Sequence, residues 1–105
     1  MVPEISCRDL NAWLQSGKPL QLLDVREAHE LAICKISPSV HIPLGQLEAR
    51  WNELDPKMPT VVYCRSGKRS ATAVGILAAH GISSQNLVGG VLAWSDEVDS
   101  SFQKY

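Results

Sequence analysis

The segment from residue 61 to residue 80 constrains the fold of this chain more than any other part of its sequence. An apolar run ends there at Cys64, and a short loop with one glycine and three cations precedes a helical pattern. This strand–loop–helix order is typical of open α/β sheets, whose sites lie at the carboxyl ends of strands. The amino end of a helix favours an anion, through its free N–H groups and its dipole. We therefore expect Cys64 to lie where a thiolate is stabilised.

Two interpretations of Cys64 follow from its position. An unpaired cysteine is commonly a small apolar side chain in a core, and the end of a buried strand suits that role. The loop that follows suits a nucleophile better, because Gly67 permits a tight turn in which successive N–H groups surround an anion. We favour the nucleophile. The loop residues of this candidate site are Arg65, Ser66, Gly67, Lys68, Arg69 and Ser70.

The polar side chains of the loop have two interpretations each. The cations of Arg65, Lys68 and Arg69 can attract an anionic substrate, or they can form a solvated basic rim. Ser66 and Ser70 can donate hydroxyl hydrogen bonds, although Ser70 is equally suited to cap the helix.

The composition indicates one ordinary globular domain spanning residues 1–105. With 45% hydrophobic and 20% charged residues, a chain of 105 residues can bury a modest single core. A net charge of −1 argues against nucleic acid or an anionic membrane as the main partner. No apolar run approaches membrane-spanning length, and the first residues do not resemble a signal peptide. We therefore expect a cytoplasmic protein.

The three cysteines, Cys7, Cys34 and Cys64, are an odd number at wide spacing. They match neither a disulfide framework nor a Cys-x-x-Cys redox or zinc pair, so we expect no metal site. Cys7 is expected to be structural on a helix. Cys34 is either structural or a second thiol near the site. His41 lies in an apolar run, which favours a hydrogen-bonded core histidine over a ligand.

Strands alternate with helices along the chain, which predicts a parallel sheet with helices on both faces. The predicted strands cover residues 4–5, 20–25, 40–42, 60–63 and 86–88. The predicted helices run from a Ser6 cap to Gly17, around 29–31, over 44–54, from the loop to His80, and over 91–98, and residues 100–105 are expected to be a tail.

The helix after the loop has a predicted inner face. Val74, Leu77 and Ala78 are expected to face the core, while Ala71 and Gly75 are expected to permit close packing.

Four motifs, in order, resemble those of rhodanese-type sulfurtransferases. They are Leu-Asp-Val-Arg-Glu at 23–27, Ile-Ser-Pro-Ser-Val-His-Ile-Pro-Leu at 36–44, Cys-Arg-Ser-Gly-Lys-Arg-Ser at 64–70 and Asn-Leu-Val-Gly-Gly-Val-Leu-Ala-Trp at 86–94. The resemblance implies a three-layer α/β rhodanese-like fold with about five parallel strands. It also implies that Cys64 carries sulfane sulfur as a covalent persulfide, with no separate cofactor. Asp24 and Arg26 would brace the loops beside the site.

The family resemblance implies transfer of sulfur from thiosulfate, or a related small anionic donor, to cyanide, a thiol or a protein partner. Residues 31–34 and 89–105 resemble the sulfurtransferase domain of activating enzymes in molybdopterin and thiolation pathways. There the sulfur passes to the carboxyl terminus of a ubiquitin-like carrier. Because 105 residues leave no room for an adenylating domain, a free-standing domain could act in trans. It could instead serve sulfide detoxification or general sulfane-sulfur trafficking.

Two other classes of protein remain for comparison. Cysteine-dependent phosphatases and arsenate reductases place Cys and Arg on a similar loop with five residues between them. Here Cys64 and Arg69 are separated by four residues, and the tighter loop suits one sulfur atom better than a tetrahedral oxyanion. A noncatalytic binding module would usually lack the nucleophile. No histidine lies near Cys64 in sequence, so its activation need not follow a Cys–His scheme.

Overall fold

The computed structural model describes residues 2–105 of the chain. The strands are β1 (Glu4–Ile5), β2 (Gln21–Asp24), β3 (Val40–His41), β4 (Thr60–Tyr63) and β5 (Ser84–Leu87). The α-helices are α1 (Cys7–Ser16), α2 (Ala28–Leu31), α3 (Leu47–Arg50), α4 (Lys68–Ala79) and α5 (Gly90–Glu97). Two short 3₁₀ segments, Leu44–Gln46 and Trp51–Glu53, flank α3. No helix within the described residues is long and apolar enough to cross a membrane.

The five strands form one parallel sheet in the order β1-β5-β4-β2-β3. Strand β4 is central, with β2 on one side and β5 on the other. Asp24 of β2 pairs with Tyr63 of β4, and Val62 of β4 pairs with Asn86 of β5. The carboxyl ends of these three strands therefore meet at one edge of the sheet, and the predicted α/β fold class is confirmed.

The sheet has helices on both faces because its strands carry apolar side chains on both sides, to which successive strand residues point in turn. Leu22 and Val61 lie in a core with residues of α1 and α5. Their neighbours Leu23 and Val62 lie in a second core with residues of α3 and α4. Two consecutive apolar residues in each strand, one for each face, are what a sheet buried on both faces requires.

The ends of α1 follow the predicted capping pattern. The side chain of Ser6 accepts a hydrogen bond from the Asp9 N–H at 3.1 Å, satisfying one free donor of the first turn. Gly17 ends the helix in the left-handed conformation, with φ of 73°.

The predicted helix over residues 44–54 is wrong as a single helix. The backbone leaves regular helical geometry at Gln46 and Arg50, where φ is −107° and −125°. The segment is therefore divided into a 3₁₀ turn, one α-helical turn and a second 3₁₀ turn. Leu47 and Leu54 are both buried in the same core, so tertiary packing holds this irregular path.

The predicted inner face of α4 is partly wrong. Val74 and Leu77 are buried as expected, but Ala73 is buried in place of Ala78, which is exposed. Burial at positions 70, 73, 74 and 77 follows the i, i+3, i+4, i+7 spacing of one helical face. This buried face stops before position 78, in the last turn of the helix. Gly75 is also exposed, and a Cβ there would meet nothing within 4 Å, so it permits no close packing.

Two predictions about the last part of the chain, the start of its final strand and its tail, are corrected by the structure. Strand β5 begins at Ser84 because Ser84 and Gln85 pair with Thr60 and Val61 of the central strand, although their side chains carry no strand pattern. The segment 100–105 is not a free tail. Phe102 packs against Trp94, with ring centroids 6.5 Å apart, and the last residue reaches the site described next.

Candidate functional site

Cys64 follows the end of β4 and is 1% exposed. Its Sγ accepts a hydrogen bond from the Gly67 N–H at 3.1 Å and lies 3.3 Å from Ser70 Oγ. Gly67 has φ of 106°, a left-handed conformation that favours glycine. This turn brings the amino end of α4 against the sulfur. The backbone N–H groups of Ser66, Gly67 and Ser70 thus surround Cys64 Sγ, as the sequence predicts, and form what we call the cradle.

Two opposing effects act on the pKa of the Cys64 thiol. Burial is the largest single effect and raises this pKa. Hydrogen bonds from the Ser70 hydroxyl and from the backbone N–H groups of Ser70, Gly67 and Ser66 act in the other direction. Together they outweigh burial, so the pKa of Cys64 is lowered and the thiolate is favoured.

Helix α5 supports the loop from the other side. The N–H groups of Val91 and Leu92 donate to the carbonyl oxygens of Cys64 and Arg65 at 3.0 and 3.2 Å. Gly90 has φ of 57°, and a Cβ at this position would overlap the carbonyl oxygens of Cys64 and Arg65. The backbone of Cys64 and Arg65 is therefore held by a direct backbone-to-backbone contact that only glycine allows.

Asp24 and Arg26 form an ion pair in which both side chains are 0% exposed. Arg26 Nη2 lies 2.8 Å from Asp24 Oδ2, and Arg26 Nε lies 3.0 Å from Asp24 Oδ1. Arg26 also donates to the Cys34 carbonyl oxygen at 2.7 Å and to Tyr105 Oη at 3.0 Å. Burial alone would lower the pKa of Arg26, but its hydrogen bonds with Asp24 and Tyr105 raise that pKa overall.

This ion pair continues into a network that ends at the loop. Tyr105 Oη donates to Glu30 Oε2 at 2.6 Å. Glu30 in turn binds Arg69 through both carboxylate oxygens, at 2.6 and 2.9 Å. Hydrogen bonds therefore connect Asp24 to Arg69, which lies in the first turn of α4.

The pKa values of Glu30 and Arg69 are those of a fully ionised pair. The hydrogen bond with Arg69 is the main reason that the pKa of Glu30 is lowered to about 2, against the effect of burial. The same bond with Glu30 raises the pKa of Arg69. Burial is the main reason that the pKa of Tyr105 rises to about 12. Glu30 is thus a carboxylate and Tyr105 a neutral donor at neutral pH.

The three loop cations have different surroundings. Arg69 is bound to Glu30, and Arg65 Nε donates to the carbonyl oxygen of Tyr105 while its guanidinium lies 5.2 Å from the centroid of that ring. Lys68 is exposed, and its ammonium forms no hydrogen bond or ion pair with any residue from 2 to 105. Among the described residues, Lys68 is therefore the loop cation whose charge stays exposed to solvent.

The two loop serines also differ. Ser66 is exposed. Ser70 is fully buried as the third residue of α4, so the alternative of a helix-capping serine is wrong because Gly67 occupies the cap. Ser70 Oγ contacts both Cys64 Sγ and Asn86 Oδ1, and Asn86 Nδ2 donates to the Gly67 carbonyl oxygen at 3.2 Å.

Three residues of the site had no role in the sequence predictions: Glu30, Asn86 and Tyr105. The sequence predicts only that Glu30 lies in a short helix, Asn86 in a strand and Tyr105 in a tail. A polar Asn86 inside a buried strand was the one available signal, because such a side chain needs a partner. Nothing local indicates the partners of Glu30 or Tyr105.

The remaining candidates lie outside the cradle. Cys7 is buried, and burial raises the pKa of its thiol to about 11, in agreement with a structural role. Cys34 is half-buried, with its sulfur 3.9 Å from Arg26 Nη1. His41 Nε2 is hydrogen-bonded to the Arg26 carbonyl oxygen at 2.7 Å. In the described part of the chain, no group of three or more metal-ligating side chains could hold an ion.

Comparison with known proteins gives a consistent result. A family model described as "Rhodanese-like domain" matches residues 6–97. The putative sulfurtransferase YtwF of Bacillus subtilis is 35% identical, over 91% of this chain and 93% of its own length. The adenylyltransferase and sulfurtransferase MOCS3-1 of Zea mays is 38% identical over 96% of this chain, which spans only 23% of that longer protein.

A solved structure extends this similarity to the whole fold. The crystal structure of a rhodanese-like domain protein from Staphylococcus aureus superimposes with a TM-score of 0.86 at 31% identity, covering 99% of both chains. The family match spans every element from α1 to α5, including the cradle around Cys64. By sequence, by fold and by the loop at its centre, this chain belongs to the rhodanese-like domain family of sulfurtransferases.

Proposed function

We propose that this protein transfers sulfane sulfur from thiosulfate, or a related persulfide donor, to a thiophilic acceptor through a persulfide on Cys64. The observation that carries the proposal is the cradle around Sγ, in which N–H groups and the Ser70 hydroxyl favour the thiolate. A thiolate is the reactive form of cysteine in such an exchange.

The first step loads the sulfur. The Cys64 thiolate attacks the outer sulfur of thiosulfate, forming an S–S bond to Sγ. The original S–S bond of thiosulfate breaks, and its electron pair leaves with sulfite. The product is Cys64–S–S⁻, whose charged outer atom lies within reach of the N–H groups at the amino end of α4. Exposed Lys68 can guide the donor towards this position.

The second step unloads the sulfur. A nucleophile attacks the outer sulfur, the S–S bond to Sγ breaks, and the Cys64 thiolate is released with its electron pair. Because Cys64 is 1% exposed, the nucleophile must be small, such as cyanide or a thiol, or must be the flexible end of a partner chain.

A protein acceptor is the second candidate, on the basis of the similarity to MOCS3-1, whose name joins adenylyltransferase and sulfurtransferase activities. We propose that in this case the acceptor is the activated carboxyl terminus of a ubiquitin-like sulfur carrier. The adenylating activity would come from a separate domain or protein.

Intact-mass analysis after thiosulfate treatment tests the proposal. The parent protein should gain one sulfur atom, and cyanide should remove it. Cys64→Ser should gain none while remaining folded, because a serine hydroxyl cannot form a persulfide. Cys34→Ser serves as the matched control and should be loaded like the parent.

Three other results of this experiment would change the assignment of the sulfur carrier, the reaction or the acceptor. An adduct that persists in Cys64→Ser would assign the carrier to another cysteine and overturn the proposal. If neither thiosulfate nor a low-molecular-weight persulfide loads the parent, sulfur transfer is rejected, and phosphatase and arsenate reductase assays follow. A loaded protein that loses its sulfur to a carrier protein faster than to cyanide would favour the protein acceptor.

A further inference from the structure

The side chain of Asn86 has a defined orientation in the site. A carbonyl oxygen can only accept, so the amide nitrogen of Asn86 must face the Gly67 carbonyl, at 3.2 Å. The amide oxygen Oδ1 then faces Ser70 Oγ at 2.5 Å. Asn86 and Ser70 are 5% and 0% exposed, so solvent offers Oδ1 no alternative donor.

Ser70 has one hydroxyl proton and two partners that can accept it. If the proton points to Asn86 Oδ1, Ser70 Oγ can only accept from Cys64, 3.3 Å away, and this arrangement suits the neutral thiol. If the proton points to Sγ, it stabilises the thiolate but leaves a buried Oδ1 without a donor. A buried acceptor without a partner is costly.

We propose that Asn86 is a positioning residue that restrains the ionisation of Cys64 by competing with its sulfur for the Ser70 proton. The hydrogen-bonded side chains of Cys64, Ser70 and Asn86 then have two arrangements. The Ser70 proton points to Asn86 when Cys64 is a thiol and to Sγ when it is a thiolate. Asn86 thereby sets how much thiolate is present before a donor arrives. This inference rests on the proposed role of Cys64 as the sulfur carrier and adds a residue that tunes it.

The surrounding charges do not change with a substitution of Asn86. The charged groups on the loop and on the neighbouring elements are Arg65, Lys68, Arg69, Asp24, Arg26 and Glu30. They contribute equally to the parent protein and its variants, so a difference between variants reports on the Ser70 proton.

Alkylation of Cys64 by iodoacetamide, measured against pH and resolved by peptide mass, tests the inference. Asn86→Leu removes the competing acceptor while keeping a side chain branched at Cγ, and the Gly67 carbonyl keeps its bond from the Ala71 N–H at 3.1 Å. Below the thiol pKa, the thiolate-to-thiol ratio of Asn86→Leu should rise about tenfold, which corresponds to one hydrogen bond to a charged sulfur.

The same substitution in a Ser70→Ala background distinguishes positioning from a general loosening of the loop. Without the Ser70 hydroxyl, Asn86→Leu should leave the alkylation profile of Cys64 unchanged. An equal change in both backgrounds would overturn the inference. Because the assay follows ionisation and not sulfur transfer, its outcome is independent of whether Cys64 accepts sulfur from thiosulfate.

A second measurement needs no substitution at Asn86. The NMR shift of the Asn86 side-chain carbonyl carbon should titrate with Cys64 in the parent protein, because the Ser70 proton leaves Oδ1 as the thiolate forms. The change should be much smaller in Ser70→Ala. A carbonyl shift that is constant through the ionisation of Cys64 would reject the inference.

Discussion

The ion pairs Asp24–Arg26 and Arg50–Glu53 differ in how far solvent reaches their side chains. Asp24 and Arg26 are both 0% exposed and share several hydrogen bonds. Arg50 and Glu53 form a bond as short as 2.7 Å, but their side chains are 36% and 46% exposed. Solvent and salt screen the second pair and hardly affect the first.

Asp24→Ala should therefore destabilise the protein strongly. It leaves the Arg26 guanidinium buried without its main counter-charge, which typically costs about 3–5 kcal/mol. We expect this loss in the free energy of unfolding from denaturant titration, together with reduced sulfur transfer. Glu53→Ala is the matched control and should change the free energy of unfolding far less, because solvent screens its pair with Arg50. Equal effects of the two variants would contradict a bracing role for Asp24.

At the scale of elements, the amino end of α5 and the loop after β4 form one unit. Two backbone N–H groups of α5 bind carbonyl oxygens of that loop, and Gly90 provides the space between them. The path of the backbone at Cys64 therefore depends on a helix that begins 26 residues later in the chain, at position 90.

Gly90→Ala should disturb this unit through a steric overlap. A positive φ costs a non-glycine residue about 1–2 kcal/mol, and the overlap with the loop carbonyls adds about 1–3 kcal/mol. Gly81→Ala is the matched control, since Gly81 has φ of 80° and open space around its Cβ position. Denaturant unfolding should show a clearly larger loss for Gly90→Ala. Similar losses in both variants would mean that the close approach at Gly90 is unimportant.

The segment after α5 belongs to the site because Tyr105 bridges Arg26 and Glu30. Tyr105→Phe removes only this hydroxyl. Both partners keep other bonds, since Glu30 still accepts from Arg69 and Arg26 still donates to Asp24. The expected loss is therefore about 1 kcal/mol in the free energy of unfolding. Lys104→Ala removes an exposed pair with Asp96 and should have a smaller effect. A Tyr105→Phe variant as stable as the parent would contradict the bridge.

At the scale of the whole molecule, Glu30 connects stability to pH. Its pKa is lowered from 4.5 to about 2 in the folded protein. A lowered folded-state pKa contributes stability that is present above the unfolded value and disappears as pH falls through the folded value. The stabilisation from Glu30 is therefore complete above about pH 5 and lost between about pH 5 and pH 2.

Glu30→Gln should flatten this acid dependence. The change removes up to about 3 kcal/mol of pH-dependent stability, reduced by solvent screening at the half-exposed Arg69. Chemical denaturation of parent and variant from pH 6 to about pH 2 measures the difference. Parallel curves for the two proteins would show that the contacts of Glu30 with Arg69 and Tyr105 do not control its ionisation.

The sequence by itself determined what depends on local pattern. Alternating apolar runs and helical stripes predicted a parallel α/β sheet, and Ser6 and Gly17 indicated the ends of α1. Cys64 followed by a glycine-containing loop predicted the strand–loop–helix turn and its N–H cradle. These features rest on residues close together in sequence, so backbone propensity and capping chemistry suffice to predict them.

Only the tertiary structure decided which polar side chains meet. Glu30 binds Arg69 across 39 residues, Tyr105 binds Glu30 across 75, and Ser70 binds Asn86 across 16. Such pairs leave no periodic signal in one sequence, because they arise where the sheet brings distant segments to the same edge. The sequence therefore indicated Cys64 and its loop, while the side chains that surround them became visible only through the packing of β2, β4, β5 and the last residues of the chain.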